Sequence, residues 1–243
     1  MDDKRVYLFD TTLRDGAQTQ GVDFNPADKE LIAKELDSIG IDYIEGGWPG
    51  ANPTDDAFFK NPPELKRSCL TAFGMTRRAG RSADNDPGLT ALLSTGAKAV
   101  CMVGKAWDFH IKVVLDIEPE ENIAMIRESV TLAAVKADEV IFDAEHFFDG
   151  YKANPDFALD CLKAAHEAGA RWIVVEPNVH FHGRIREAAQ AHGLTVDLRD
   201  GAAELIDIQR GPCGPGNLAV SPATPRHALP FAVLWRSIAF EQL

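Results

Sequence analysis

The chain has 243 residues, 45% of them hydrophobic and 26% charged; that suffices for one sizeable core, built as a single barrel or as two small domains. Its net charge of −12 excludes a general nucleic-acid-binding surface, which needs clustered Lys and Arg. Four scattered cysteines without a C-x-x-C pair, a charged start with no long apolar leader, and no apolar run near the ~20 residues of a membrane span predict a soluble cytoplasmic protein with reduced thiols and no membrane contact.

In chain order, short β-branched or aromatic runs predict strands at 6–9, 43–45, 69–73, 99–103, 139–143 and 172–175, and more weakly at 194–198 and 205–208. Helix-periodic stretches lie between them. Asn25-Pro26 supplies a cap and a proline at the first helical position before residues 27–39; Pro119 opens a helix running to about Lys136, and Pro155 one running to Ala168. Gly40, Gly96, Gly169 and Gly193 each follow a helical stretch and precede a strand, where a residue with positive φ is favoured. This repeated joint favours a single wound parallel sheet or barrel over two unlike domains, so residues 1–243 are expected to form one catalytic domain. No G-x-G-x-x-G follows the first strand and no P-loop sequence occurs, which removes the common nucleotide-binding folds. After Gly211 five prolines crowd a tail of weak periodicity, expected to be loops ending in a short apolar helix at 231–240.

Chemistry-bearing residues gather where predicted strands end. The first strand runs into Asp10-Thr11-Thr12-Leu13-Arg14-Asp15-Gly16-Ala17-Gln18. An Arg beside an Asp at a strand mouth is either a turn salt bridge or a charge-stabilising cation next to a ligand carboxylate; spacing alone leaves both open. Glu45 ends the second strand. Asp143 and Glu145, two apart on the fifth, share one face. His180-Phe-His182 on an extended segment would put two imidazoles on one side, able with a carboxylate to hold a divalent ion.

The run DTTLRDGAQ resembles the opening of the metal-dependent barrel family of isopropylmalate, homocitrate and citramalate synthases, more than that of the hydroxymethylglutaryl-CoA lyases. The block Tyr43-Ile-Glu45-Gly-Gly-Trp-Pro49-Gly-Ala-Asn-Pro-Thr-Asp and the block Phe142-Asp143-Ala144-Glu145-His146-Phe147-Phe148-Asp149-Gly150-Tyr151 are similar to the citramalate synthase segments at the second and fifth strands. The resemblance implies a TIM-type (β/α)8 barrel, a divalent metal (Mg, Mn or Zn) and acetyl-CoA as co-substrate, for which an acidic chain could still offer a local basic pocket. It implies condensation of acetyl-CoA with a 2-oxoacid, pyruvate giving citramalate, in branched-chain amino-acid biosynthesis, by a homodimer. Arg14 and Glu145 would be catalytic, and Gln18, Glu45 and Asp143 would lie against substrate. Asp15, His180, His182 and Asn217 would hold the metal; Asn217, in a Gly-Asn pair, falls about 35 positions beyond His182, as in the family. Lys105 and His110, after the fourth strand, would line the pocket.

The resemblance is dense from Lys4 to about Val174 and then thins. Val175-Glu176-Pro177-Asn178 stands where the family has a D-T-x-G turn, Gly183-Arg184 replaces its Asn-Asp, and Gly214-Pro215 replaces its Glu-Arg. The implied barrel is therefore shortened or diverged in its last units, incomplete or irregular. A related lyase of 2-hydroxyacyl thioesters and an inactive fragment that binds metal or oxoacid are the alternatives.

Overall fold

The computed structural model of the chain describes residues 7–175 and the strand Ser237–Ile238. Within them the expected alternation is realised. Strands β1 (Phe9–Asp10), β2 (Tyr43–Gly47), β3 (Cys69–Met75), β4 (Ala99–Lys105), β5 (Glu139–Glu145) and β6 (Trp172–Val174) pair in sequential order, all parallel. Helices α1 (Pro26–Ile39), α2 (Pro53–Lys60), α3 (Pro87–Leu93), the short α4 (Asp108–His110), α5 (Pro119–Lys136), α6 (Phe147–Ala153) and α7 (Pro155–Glu167) lie between them.

One local rule starts four helices. Asn25, Asn52, Asp86 and Asn154 each precede a proline, and each side chain accepts a backbone N–H of the first turn. Proline loses no hydrogen bond there, and each cap contributes roughly 1 kcal/mol. At Asn25 the box is reciprocal, since Asp28 accepts the Asn25 N–H at 3.0 Å. Three helical segments end at a left-handed glycine, Gly40 (φ 91°), Gly96 (φ 68°) and Gly169 (φ 105°), as the sequence requires; Gly193 lies outside the described residues.

The strands alternate between two apolar layers. Val100, Met102, Val140, Phe142 and Ala144 face the helices, while Ala99, Cys101, Ile141, Phe73, Tyr43 and Val174 form a second cluster on the opposite, concave face. That face is strongly curled. The Trp172 indole donates to the Tyr43 hydroxyl at 3.0 Å, although β2 and β6 would stand about 19 Å apart in a flat sheet. Six strands thus trace the greater part of a barrel wall.

The continuation differs from expectation. Ser237–Ile238 adds as a short antiparallel strand, β7, pairing with Val174 and Ile173; a helix over 231–240 is thereby corrected at these two residues, because pairing with the β6 edge satisfies backbone groups that an apolar helix there would leave open. The strands expected at 194–198 and 205–208 lie outside the described residues. Cys69, Cys101 and Cys161 are free thiols. Among the described residues no helix is long and apolar enough to cross a membrane.

Candidate active site

The site grows from the turn after β1. The Thr11 carbonyl accepts the N–H groups of Arg14, Asp15 and Gly16 at 3.1, 2.8 and 3.1 Å, and the buried Asp10 carboxylate accepts the Thr12 N–H and hydroxyl at 2.9 and 3.1 Å. Leu13 is fully buried in the helix-side core, which sends its neighbour Arg14 to the concave face. There the Arg14 Nε donates to Glu45 Oε2 at 2.6 Å and Nη1 donates to Asp15 Oδ1 at 3.0 Å. Its guanidinium carbon lies 3.9 Å from the centroid of the Phe73 ring, a stacking geometry that suits a planar, weakly hydrated cation.

Glu45 is 1% exposed. Burial pushes its carboxyl above the ordinary value, against the opposing pull of Arg14 and a hydrogen bond from Cys101. Burial works against the charge on Arg14 too, but Glu45 and Asp15 more than restore it, so the guanidinium stays protonated. Cys101, on β4, is itself raised by burial and by the charges of Glu45 and Asp143, so Asp143 shares this neighbourhood. The loop after β2 is clamped from below: buried Lys29 pairs with Asp55 and donates to the Gly46 carbonyl at 3.0 Å, and Asp55 accepts the Trp48 N–H at 2.7 Å. A Cβ at Gly47 would approach the Asp55 carboxyl carbon to 2.5 Å and one at Gly46 the Phe58 ring to 2.7 Å, so the paired glycines that end β2 are a packing requirement.

The concave face thus brings Arg14, Asp15, Glu45 and Asp143 together. Glu145 stands two residues beyond Asp143 at the mouth, paired with Lys105, and His110 follows on α4. Gln18 ends a short 3-10 turn (Gly16–Gln18), with its side chain exposed. His180, His182 and Asn217 lie outside the described residues, and among those described no group of three or more His, Cys, Asp or Glu side chains could hold a metal. Phe73, Cys101 and the Lys29–Asp55 clamp escape motif reading. Strand parity is the signal that could find the first two: Glu45 pairs with Thr71, and Phe73, one inward step on, pairs with Cys101.

An HMGL-like family model matches residues 5–181, the segment that carries this whole arrangement. The chain belongs to the HMGL-like family. It is 49% identical over 174 residues to an (R)-citramalate synthase of Aquifex aeolicus, covering 71% of this chain and 33% of that protein. It is 35% identical over 179 residues to 2-isopropylmalate synthase 1 of Caldanaerobacter subterraneus, covering 73% and 43%. The chain spans about a third of the length of the citramalate synthases it matches. Among solved structures, hydroxymethylglutaryl-CoA lyase from Pseudomonas aeruginosa superposes with a TM-score of 0.61 at 17% identity, over 84% of this chain and 72% of that one. The fold of this HMGL-like chain is accordingly a TIM-type barrel, six of whose parallel strands are described.

Proposed function

We propose that this chain is a citramalate-synthase-like acyltransferase, condensing acetyl-CoA with a small 2-oxoacid, pyruvate giving citramalate and free coenzyme A. The reading rests on 49% identity to an (R)-citramalate synthase across the segment that holds Arg14, Glu45 and Glu145. The geometry is consistent with it. Arg14 is a cation fixed by two carboxylates and an aromatic face beside an open concave surface. Such a preorganised cation stabilises negative charge that develops only during reaction, here on an enolate and on a carbonyl oxygen. Glu145 is assigned with Arg14 to catalysis, and Gln18, Glu45 and Asp143 to the substrate-facing wall, where Glu45 also holds Arg14 in place.

A divalent metal belongs to this reading. Asp15 fits one ligand position: its carboxylate is 56% exposed, and the oxygen bonded to Arg14 leaves a second hard oxygen donor. His180, His182 and Asn217 are assigned to the remaining positions from the sequence, without described geometry. A bound Mg, Mn or Zn ion would supply Lewis-acid polarisation of a carbonyl oxygen. The lyase alternative is supported by fold likeness to lyases at 17% identity or less, and fold likeness carries no chemistry, whereas the relatives at 45–49% identity are citramalate synthases. A single domain over residues 1–243, a homodimer and a cytoplasmic location complete the reading.

The test is thiol release by the purified chain given pyruvate, acetyl-CoA and Mg²⁺ or Mn²⁺. Wild-type release that disappears on chelation and in Asp15→Ala is expected. Equal rates for wild type and Asp15→Ala would overturn the assignment.

A further inference from the structure

Forming and protonating a new carbon–carbon linkage requires a group that takes a proton and returns it, and among the described residues the Arg14 face carries no imidazole for that exchange. Arg14 stays charged, Glu45 is buried against it, and Glu145 is committed to Lys105. A second cluster stands beside Glu145 at the mouth. His146 follows it directly and adopts the left-handed backbone, φ 54°, a conformation that persists in non-glycine residues where the surroundings enforce it, often at functional sites. Its Nδ1 lies 3.4 Å from Asp149 Oδ2, which leaves Nε2 as the other available ring nitrogen. The His110 ring meets it edge-on, centroids 4.6 Å apart at 79°, and Trp107 backs both rings at 4.6 and 6.1 Å.

This arrangement is rigidly held. A Cβ at Gly150 would overlap the Ala106 carbonyl, so α6 sits backbone to backbone on the segment carrying Trp107. Asn154 donates to Asp108 at 3.0 Å, tying the same two segments together a second time. His110 Nδ1 is a buried polar atom with no hydrogen-bond partner among the described residues, and such an atom calls for an explanation.

We propose that His146, oriented by Asp149 and backed by His110, is the acid–base residue at the mouth of the barrel. This rests on the condensation proposed above and deepens it. Neutral His146 takes the proton from the methyl carbon of acetyl-CoA, leaving the bonding pair in the enolate. The enolate carbon bonds to the oxoacid carbonyl carbon, and the carbonyl π pair moves onto oxygen. That alkoxide takes the proton back, restoring the imidazole and leaving the hydroxyacyl thioester of coenzyme A. Water then adds to the thioester carbon and the carbon–sulfur bond breaks: the thiolate leaves with one proton of the water as free coenzyme A, and the product carboxyl ionises to release the other. Burial and the neighbouring His146 and Lys105 charges hold His110 below the ordinary imidazole value, while Glu145 and Asp149 oppose more weakly, so His110 favours its neutral form. The other charge at hand, Lys152, lies 3.7 Å from Asp149.

The experiment is a pH titration of the imidazole signals by NMR on the full chain, alongside thiol release as a function of pH. The variants are His146→Asn, which tolerates the left-handed backbone, and His110→Phe, which keeps the ring contact without a titrating nitrogen. His110 should titrate below the ordinary value in wild type and move upward in His146→Asn. Thiol-release kcat should fall about 100-fold or more in His146→Asn, with KM for pyruvate changed less than about threefold, and His110→Phe should shift the acid limb of the pH profile. A His146→Asn chain that turns over within about twofold of wild type overturns the role. So does a His110 titration indifferent to the His146 substitution, which would leave the rings as packing only. A wild-type chain that releases no thiol overturns the condensation and this role together, whereas an active wild type with an active His146→Asn overturns this role alone.

Discussion

The indole N–H of Trp172 donates to the hydroxyl of Tyr43, and that hydroxyl donates to Glu139 at 2.6 Å. These residues belong to β6, β2 and β5, so one chain of side-chain hydrogen bonds spans the hollow of the curled sheet at the end opposite the site. Tyr43→Phe should remove both Tyr43 bonds and leave the indole with only its 3.3 Å contact to Glu139. A loss of about 1–2 kcal/mol in urea unfolding is expected, with an unchanged m-value. A fully stable variant would mean that packing of Tyr7, Tyr43 and Trp172 alone holds the curl.

The Arg14–Glu45 pair separates stability from chemistry. Arg14→Met leaves a buried carboxyl without its cation, a change that costs about 3–5 kcal/mol when one partner of a buried pair is removed. Adding Glu45→Gln should recover most of that stability, since a neutral amide needs no counter-charge, yet it should not recover thiol release. Urea denaturation and the thiol assay on the two single variants and the double variant decide it. Recovery of activity in the double variant would move the charge-stabilising role away from Arg14.

How much of this was legible beforehand differs by residue. The helix starts were readable because Asn25-Pro26 and its counterparts act locally, through one side chain and the next turn. Arg14, Asp15 and Glu45 were readable because strand ends point into the mouth of a barrel. Cys101 and Phe73 were not, since their importance comes from sheet curvature and parallel register, which link residues 45, 73 and 101 through space. Lys29 reads as a solvated helix lysine until Asp55 is folded over it. Ser237–Ile238 was misjudged because short apolar runs do not distinguish strand from helix; the edge of β6 decides it.

Gly150 is the tightest backbone contact between α6 and the segment after β4. Gly150→Ala should force those elements apart and cost about 1–3 kcal/mol, the range for overpacking a filled site. It should also alter the His146 and His110 signals, because both rings are positioned by that contact. A substitution at Gly21 (φ 84°), where an added Cβ meets nothing within 4 Å, strains the backbone without overlap and should leave both imidazoles unaffected. The comparison of the two variants by imidazole NMR separates local backbone strain from displacement of the mouth.

Asp37 ties the end of α1 to the entry of β3 and gives the molecule a specific acid response. Asp37 is 7% exposed, and its carboxylate accepts the backbone N–H groups of Lys66, Arg67 and Ser68 at 3.0, 2.8 and 2.7 Å. Burial alone would raise its pKa, but the three N–H donors outweigh it and bring the value from 3.8 to about 2. A carboxyl depressed on folding contributes its full stabilisation above its unfolded pKa and loses it as pH falls through the folded value. Asp37→Asn keeps an acceptor oxygen but loses the charge and one of the carboxylate oxygens, so a loss of about 2 kcal/mol is expected near neutral pH. The wild-type advantage should shrink from about pH 4 downward and vanish only below about pH 2, as the wild-type carboxyl takes up its proton. Denaturant unfolding of both proteins across that range measures it directly. An advantage independent of pH would show that the lost oxygen, not the charge, holds the α1–β3 joint.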